Sequence, residues 1–185
     1  IDDAEADLFV VEASSFRLGH AANLAASPAA WLNFAPDHLD VHADLASYED
    51  AKARIWEGIV SPPDAVANLG DPVVAARAPA GATGFGAPDA ACRIESGLLL
   101  LDGSPVVEVA ALSRSMPHDL ENAQAACAVA VRSGATLEAC ADSLRGFGGL
   151  EHRMSFVAEV DGVRYVDDSK ATTPHAALIA LSGLP

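Results

Sequence analysis

The sequence predicts an α/β protein: a mostly parallel central sheet flanked by helices and carrying a small antiparallel meander, followed by the start of a second Rossmann-like α/β domain. Three observations predict it. Short apolar runs ending in polar clusters alternate with segments of helical period, as expected where strands are joined through helices. The turn pairs Ser96-Gly97 and Asp102-Gly103 cut the middle of the chain into short strands. A glycine-rich stretch, Gly146-Phe147-Gly148-Gly149, then precedes a new hairpin pattern.

Taken in order, Asp7–Glu12 is an apolar run closed by a carboxylate and reads as a buried parallel strand. Ala29–Phe34 is a second such run, ending in Asp37-His38-Leu39-Asp40. Tyr48, Ala51, Ile55 and Trp56 lie on one helical face between Leu45 and Trp56. Asp64–Asn68 reads as a short strand, and Pro72–Pro88 has poor periodicity. Within that segment, Gly81-Ala82-Thr83-Gly84-Phe85-Gly86 lacks the Lys-Ser/Thr of a phosphate loop and reads as a turn around a short strand. Ala91–Ile94, Leu98–Leu101 and Val106–Val109 form the meander. Leu120, Ala123, Cys127, Ala130 and Val131 mark a helix ending near Gly134, and a second helix covers roughly Leu137–Leu144. After the glycines, Met154–Val160 and Val163–Val166 flank an Asp161-Gly162 turn, and a helical run follows from Thr173 to Leu181. The expected division is 1–146 as one domain, 147–150 as linker and 151–185 as the beginning of another.

A chain of 185 residues suits one domain, or one domain plus part of another. Its formal charge of −15 repels a phosphodiester backbone and argues against nucleic-acid binding. No apolar run reaches membrane-spanning length, and no basic-then-apolar leader opens the chain. Cys92, Cys127 and Cys140 are odd in number and too widely spaced for a zinc set. Cys127 and Cys140 sit among alanines and read as buried free thiols, which fits a reducing cytoplasm.

Glu12 and His38 each follow a predicted strand, so both could reach one crevice and share a hard cation such as Mg²⁺. Taken singly, each is equally an ordinary surface or capping residue. Lys52 could join them only as a carbamate formed with CO₂, because an ammonium cannot bind a cation; otherwise it is an exposed helix lysine. His118-Asp119-Leu120-Glu121-Asn122 opens a helix, with Asp119 either its N-cap or a contact to a nucleotide base. Asp168-Ser169-Lys170 is either a turn and helix cap or part of a site. His42, His152 and His175 have no metal-site spacing.

In sequence order these pieces resemble the Mur ligases, and in particular their D-glutamate-adding branch. Glu12-Ala13-Ser14-Ser15-Phe16-Arg17-Leu18 is similar to that branch's E-x-S-S-F-Q-L, and Asn33 to Asp40 to its N-x-x-x-D-H-x-D. Tyr48 to Ile55 resembles the helix with the carbamylated lysine, and Gly149-Leu150-Glu151-His152-Arg153 the G-L-x-H-R linker. Asp168-Ser169-Lys170-Ala171-Thr172 matches D-S-K-A-T, which sets the branch apart. The resemblance implies ATP-dependent joining of D-glutamate to UDP-N-acetylmuramoyl-L-alanine through an acyl phosphate, by a cytoplasmic, monomeric enzyme using two Mg²⁺ ions.

It also implies roles by position. Glu12, His38 and carbamylated Lys52 would hold metal, and His38, Lys52 and Lys170 would be catalytic. Asn122, Asp119, Arg153 and Asp168 would contact ATP, and Ser14 and Thr172 would contact substrate. The chain departs from the pattern where Asp119 replaces an Asn, Met116 lies near an expected Gly, and Arg17 replaces Gln. An acid at position 119 can accept from the exocyclic amine of adenine but cannot donate. The resemblance further implies a phosphate loop before Ile1 and more of the C-terminal domain after Pro185, so these residues alone are not expected to turn over. Two other readings are a different amide ligase of this fold, such as folylpolyglutamate synthase, and a non-catalytic binding module.

Overall fold

The computed structural model describes residues 6–22, 24–37 and 40–183. Three parallel strands form the central sheet: β1 (Ala29–Trp31), β2 (Ala65–Asn68) and β3 (Thr83–Phe85), with β2 in the middle. The preceding helices are α1 (Ser15–His20) and, between β1 and β2, α2 (Leu45–Ala53), which runs into a 3₁₀ turn at Arg54–Trp56. Asp44 starts α2 with a reciprocal cap: its side chain accepts from the Ser47 amide while the Ser47 hydroxyl is reached by the Asp44 amide.

The middle strand shows how the sequence builds two layers. Successive side chains of a strand point to opposite faces. Ala65 and Ala67 join Trp31, Trp56, Ala29 and Val74 in one core cluster. Val66, on the other face, joins Phe85 and the residues of the meander and following helices. The two tryptophans meet at 5.5 Å between ring centroids, and the Trp56 Nε1–H donates to the Ala29 carbonyl at 3.1 Å.

The meander is β4 (Cys92–Glu95), β5 (Leu98–Leu101) and β6 (Ser104–Glu108), antiparallel throughout. Ser96, Gly97, Asp102 and Gly103 adopt the left-handed conformations that two-residue hairpin turns require. Leu99 is fully buried in the cluster formed with the long helices. Leu99→Ala is expected to cost about 2–5 kcal/mol, read as a lower denaturation midpoint, because the site is packed from both sides.

The segment of poor periodicity holds a helix the pattern missed, α3 (Pro72–Arg77). It is short and has too few turns for a 3.6-residue period to register, yet Asp71-Pro72 marks its start by cap and fixed φ. The long helices are α4 (Pro117–Arg132) and α5 (Leu137–Gly146), the latter capped by the Thr136 side chain on the Ala139 amide. The hairpin of β7 (Ser155–Val160) and β8 (Val163–Asp167) precedes α6 (Pro174–Ser182). Phe156, Val157, Val160, Val163 and Tyr165 of that hairpin are exposed. Cys92, Cys127 and Cys140 are free and buried, as expected for the latter two. Burial pushes the Cys140 thiol up to about 11, and hydrogen bonding to Cys92 together with burial raises that of Cys127.

Two expectations fail. Asp7–Glu12 is not a strand; Val10 is 91% exposed, and Leu8, Phe9 and Val11 are exposed beside it. A buried parallel strand needs a hydrogen-bonding edge and cover on both faces, and the described residues supply neither to this segment. Nor is Asp119 the cap of α4. Pro117 fixes the backbone at the first helical position, so the helix starts earlier, with Met116 at the cap position. Asp119 falls inside the first turn, where its charge faces the positive end of the helix.

Candidate active site

Open parallel sheets bind ligands beyond the carboxyl ends of their strands, and that edge holds a polar network. After β1 the chain passes Phe34 and Asp37; β2 ends at Asn68 and is followed by Gly70 and Asp71; after β3 it passes Gly86. The Asn68 amide donates to the Leu32 carbonyl at 2.8 Å and its oxygen accepts from the Gly70 amide at 2.9 Å. Asp71 Oδ1 accepts from the Val73 and Val74 amides, capping α3, while Oδ2 accepts from the Phe34 amide at 2.7 Å. Gly86 requires its missing side chain: φ is +76°, and a Cβ would lie 2.2 Å from Asn68 Oδ1. Its amide is held by Gln124 Oε1 at 3.2 Å, which ties α4 to the same edge.

Lys52 faces this network from the last turn of α2. Its Nζ lies 5.5 Å from the centre of the Tyr48 ring, which packs against Phe34 and His42. Burial pulls the ammonium below the ordinary lysine range, while the carboxylates of Asp37 and Asp71 work in the opposite direction. A lysine of this kind releases its proton more readily and is the more nucleophilic for it. His42 Nε2 is 2.9 Å from Ser15 Oγ, joining the start of α1 to the same wall. Ser14 Oγ, one residue earlier, is buried with no hydrogen-bond partner among the described residues. Glu12 is exposed, on the irregular segment leading to it. His38 lies outside the described residues. Among the described residues, no three His, Cys, Asp or Glu side chains converge as a metal site. The groups brought to Lys52 are Asp37 and Asp71, rather than Glu12.

A second polar region lies at the start of α4. A cavity of about 580 Å³ is lined by Arg114, Met116 and Asp119 on one side and by Gly149, Leu150 and Phe156 on the other, among others. Arg114 Nε donates to Asp119 Oδ1 at 3.0 Å. The other carboxylate oxygen of Asp119 is buried without a hydrogen-bond partner among the described residues, as is Nδ1 of His118. Asn122 is exposed on the next turn.

Asp168 Oδ1 accepts from the Met154 amide at 3.2 Å, and the Asp168 carbonyl accepts from the Ala171 amide. The turn expected at Asp168-Ser169-Lys170 is therefore present, but the cap of α6 is Thr173, whose hydroxyl accepts from the Ala176 amide. Lys170, Thr172 and Arg153 have exposed side chains. The Lys170 amide donates to the His152 carbonyl at 3.2 Å, which joins the D-S-K turn to the G-L-x-H-R segment. His152 Nδ1 lies 2.6 Å from Asp167 Oδ2, and this hydrogen bond, with the Ser169 amide, holds the Asp167 carboxyl down at about 2.

Sequence reasoning missed Asp71, Arg114 and the His152–Asp167 pair as parts of this arrangement. The Asp-Pro step could have revealed Asp71. Nothing local marks Arg114, whose partners become neighbours only on folding.

Fold and site together define an open-sheet α/β domain whose strand-end edge carries two carboxylates, Asp37 and Asp71, and a half-buried lysine, Lys52. The model of the Mur ligase middle domain matches residues 1–130. The chain belongs to the Mur ligase family. It is similar to proteins named UDP-N-acetylmuramoylalanine–D-glutamate ligase. That of Methylococcus capsulatus is 42% identical over 98% of this chain and 41% of the relative. That of Frankia casuarinae is 41% identical over 97% of this chain and 40% of the relative. The chain thus spans about two fifths of the length of these curated relatives. Among solved structures, MurF from Acinetobacter baumannii superposes with a TM-score of 0.68 at 21% identity, covering 84% of this chain and 37% of that one. A pseudomurein peptide ligase type C from Methanothermus fervidus superposes at 0.61 and 17% identity, over 75% of this chain and 37% of that one. These two likenesses support the mixed α/β fold.

Proposed function

We propose that the protein carrying this chain joins D-glutamate to UDP-N-acetylmuramoyl-L-alanine at the expense of ATP, in peptidoglycan precursor synthesis. The observation that carries this reading is the likeness over nearly the whole chain to relatives bearing that name, with Asp168-Ser169-Lys170-Ala171-Thr172 inside the matched region. In this reading residues 1–146 belong to the central ATP-binding domain, 147–150 are linker, and 151–185 begin the C-terminal domain. The protein acts as a cytoplasmic monomer. Among the described residues, no helix is long and apolar enough to cross a membrane.

The residue types, though not the described placement of Glu12, fit the groups this reaction needs. Glu12, His38 and carbamylated Lys52 would hold Mg²⁺, two ions in this reading. Bound there, Mg²⁺ supplies positive charge against crowded phosphate oxygens. The lowered proton affinity of the Lys52 amine supports the carbamate, since only the neutral amine attacks CO₂. The Ser14 hydroxyl, without a hydrogen-bond partner among the described residues, gives the muramoyl substrate a hydrogen-bonding group on the same wall. On the far side, Asp119 and Asn122 would meet adenine, and Arg153 and Asp168 the remainder of ATP. Lys170 and Thr172 would orient the reacting carboxylate and the incoming amino acid. The substrate carboxylate takes the γ-phosphoryl group, and the amine of D-glutamate then displaces phosphate from the acyl phosphate. Closing the two domains around the site keeps water from that intermediate.

The test is phosphate release by the full-length protein with ATP, UDP-N-acetylmuramoyl-L-alanine and one amino acid at a time. Turnover is expected with D-glutamate alone. Activation by glycine, L-glutamate or L-lysine in its place would assign the protein to another ligase of this fold. No amino-acid-dependent release at all would favour a binding module.

A further inference from the structure

We propose that Arg114 is a positioning residue that holds Asp119 as a hydrogen-bond acceptor for the nucleotide base and ties that contact to the linker between the two domains. The proposal rests on the reading of Asp119 as an adenine contact given above.

Three observations carry it. First, Arg114 and Asp119 form an ion pair at 3.0 Å whose side chains are only 16% and 11% exposed. A carboxylate this well buried needs an opposite charge, and breaking such a pair from one side leaves an uncompensated charge in low dielectric. The amide that the resembling ligases carry at this position would need none. Second, the pair engages Oδ1 alone, while Oδ2 is buried, lacks a partner among the described residues, and belongs to a residue that lines the 580 Å³ cavity. An ionised carboxylate only accepts. It suits the exocyclic amine of adenine and opposes the carbonyl oxygen that guanine presents there. Third, the same guanidinium reaches the linker. Its Nη1 donates to the Arg153 carbonyl at 3.4 Å. It also lies against Gly149, where a Cβ would come within 2.6 Å of Nη1 and 3.0 Å of Cδ, at a φ of +105°. The Arg114 fork therefore touches the first turn of α4, the linker glycine and the residue that begins the ATP-facing part of the C-terminal domain. A lysine, with a single point of charge, cannot span these three.

The experiment uses the full-length ligase, with ATP and GTP as alternative nucleotides and D-glutamate turnover as the readout. Arg114→Leu is expected to raise the KM for ATP about tenfold or more, with a smaller change in kcat, because it leaves the buried Asp119 charge with only the His118 ring, 3.6 Å away, beside it. Adding Asp119→Asn to Arg114→Leu is expected to recover most of that loss. Asp119→Asn alone is expected to narrow the preference for ATP over GTP, a readout that a merely structural role would not move. If Arg114→Leu does not fold, Arg114→Lys replaces it, with an expected rise of about threefold in KM for ATP. An unchanged KM in Arg114→Leu, or in Arg114→Lys where that is used, overturns the proposal. So does a double variant no better than the single one. The underlying reading fails separately: if Asp119→Ala leaves the KM for ATP unchanged, Asp119 does not meet adenine. A damaged Asp119→Ala beside an unaffected Arg114→Leu sinks the role of Arg114 alone.

Discussion

Lys52→Ala in the full-length ligase is expected to lower turnover by about 10²–10³-fold, the scale of removing one preorganised electrostatic contact from a reacting phosphoryl group. Lys52 follows Tyr48 by one helical turn, so its stem runs along the ring and its Nζ lies 5.5 Å from the ring centre. Burial disfavours the ammonium and is the largest influence on it, ahead of the opposing pull of Asp37 and Asp71. In the proposed reading the neutral amine favoured in this way would add to the carbon of CO₂ and lose a proton, giving an anionic carbamate whose oxygens could face a hard cation. Alanine removes this group while leaving a strong helix former in place. Short-chain carboxylic acids are therefore expected to restore part of the activity of Lys52→Ala, by lending an oxygen anion to the vacated space. They should do nothing for Lys52→Arg, whose guanidinium still fills it. Turnover measured with and without acetate checks this. An alanine variant as active as the parent would remove Lys52 from the site.

The second large effect is expected at Asp71. Asp71→Ala removes the acceptor for the Val73, Val74 and Phe34 amides together. Loss of an N-cap costs about 1 kcal/mol, and stranding the part-buried Phe34 amide adds about 1–3. A total of about 2–4 kcal/mol is expected, read as a fall in the denaturation midpoint of the full-length protein. Asp71→Asn keeps one acceptor oxygen and should lose less. The consequence reaches the site because the Phe34 amide belongs to the chain segment leading to Asp37, and because Asp71 is one of two carboxylates that favour the charged form of Lys52. A midpoint shift equivalent to less than about 0.5 kcal/mol, the range of an ordinary surface substitution, would show that this tie does not hold the strand-end loops.

Much of the fold was legible because its elements follow local rules. Alternation and glycine turns marked β4 to β6, Asp161-Gly162 marked the last hairpin, and the spacing of Leu120, Ala123 and Cys127 marked α4. Failures came where a local rule depends on distant partners, or where a second local signal overrides the first. Asp7–Glu12 has the composition of a buried strand, but composition cannot supply a neighbouring edge. Asp119 has the character of a cap, but Pro117 had already started the helix. The sites divide in the same way. The motifs named Lys52, Asp168 and Asp119 without indicating that Asp71, Arg114 and Asp167 stand against or beside them.

The amino-acid sequence by itself determined the α/β class, the order of the elements after Ala29 apart from α3, the burial of the thiols at Cys127 and Cys140, and the family. Each depends on residue type at short separation or on motifs in a fixed order. Only the tertiary structure decided that Lys52 lies between burial and two carboxylates, that Asp71 joins the ends of two strands, and that Arg114 spans Asp119 and the linker. Those arrangements pair residues from distant parts of the chain, and the burial that shifts a lysine or strands an oxygen exists only once the layers have closed.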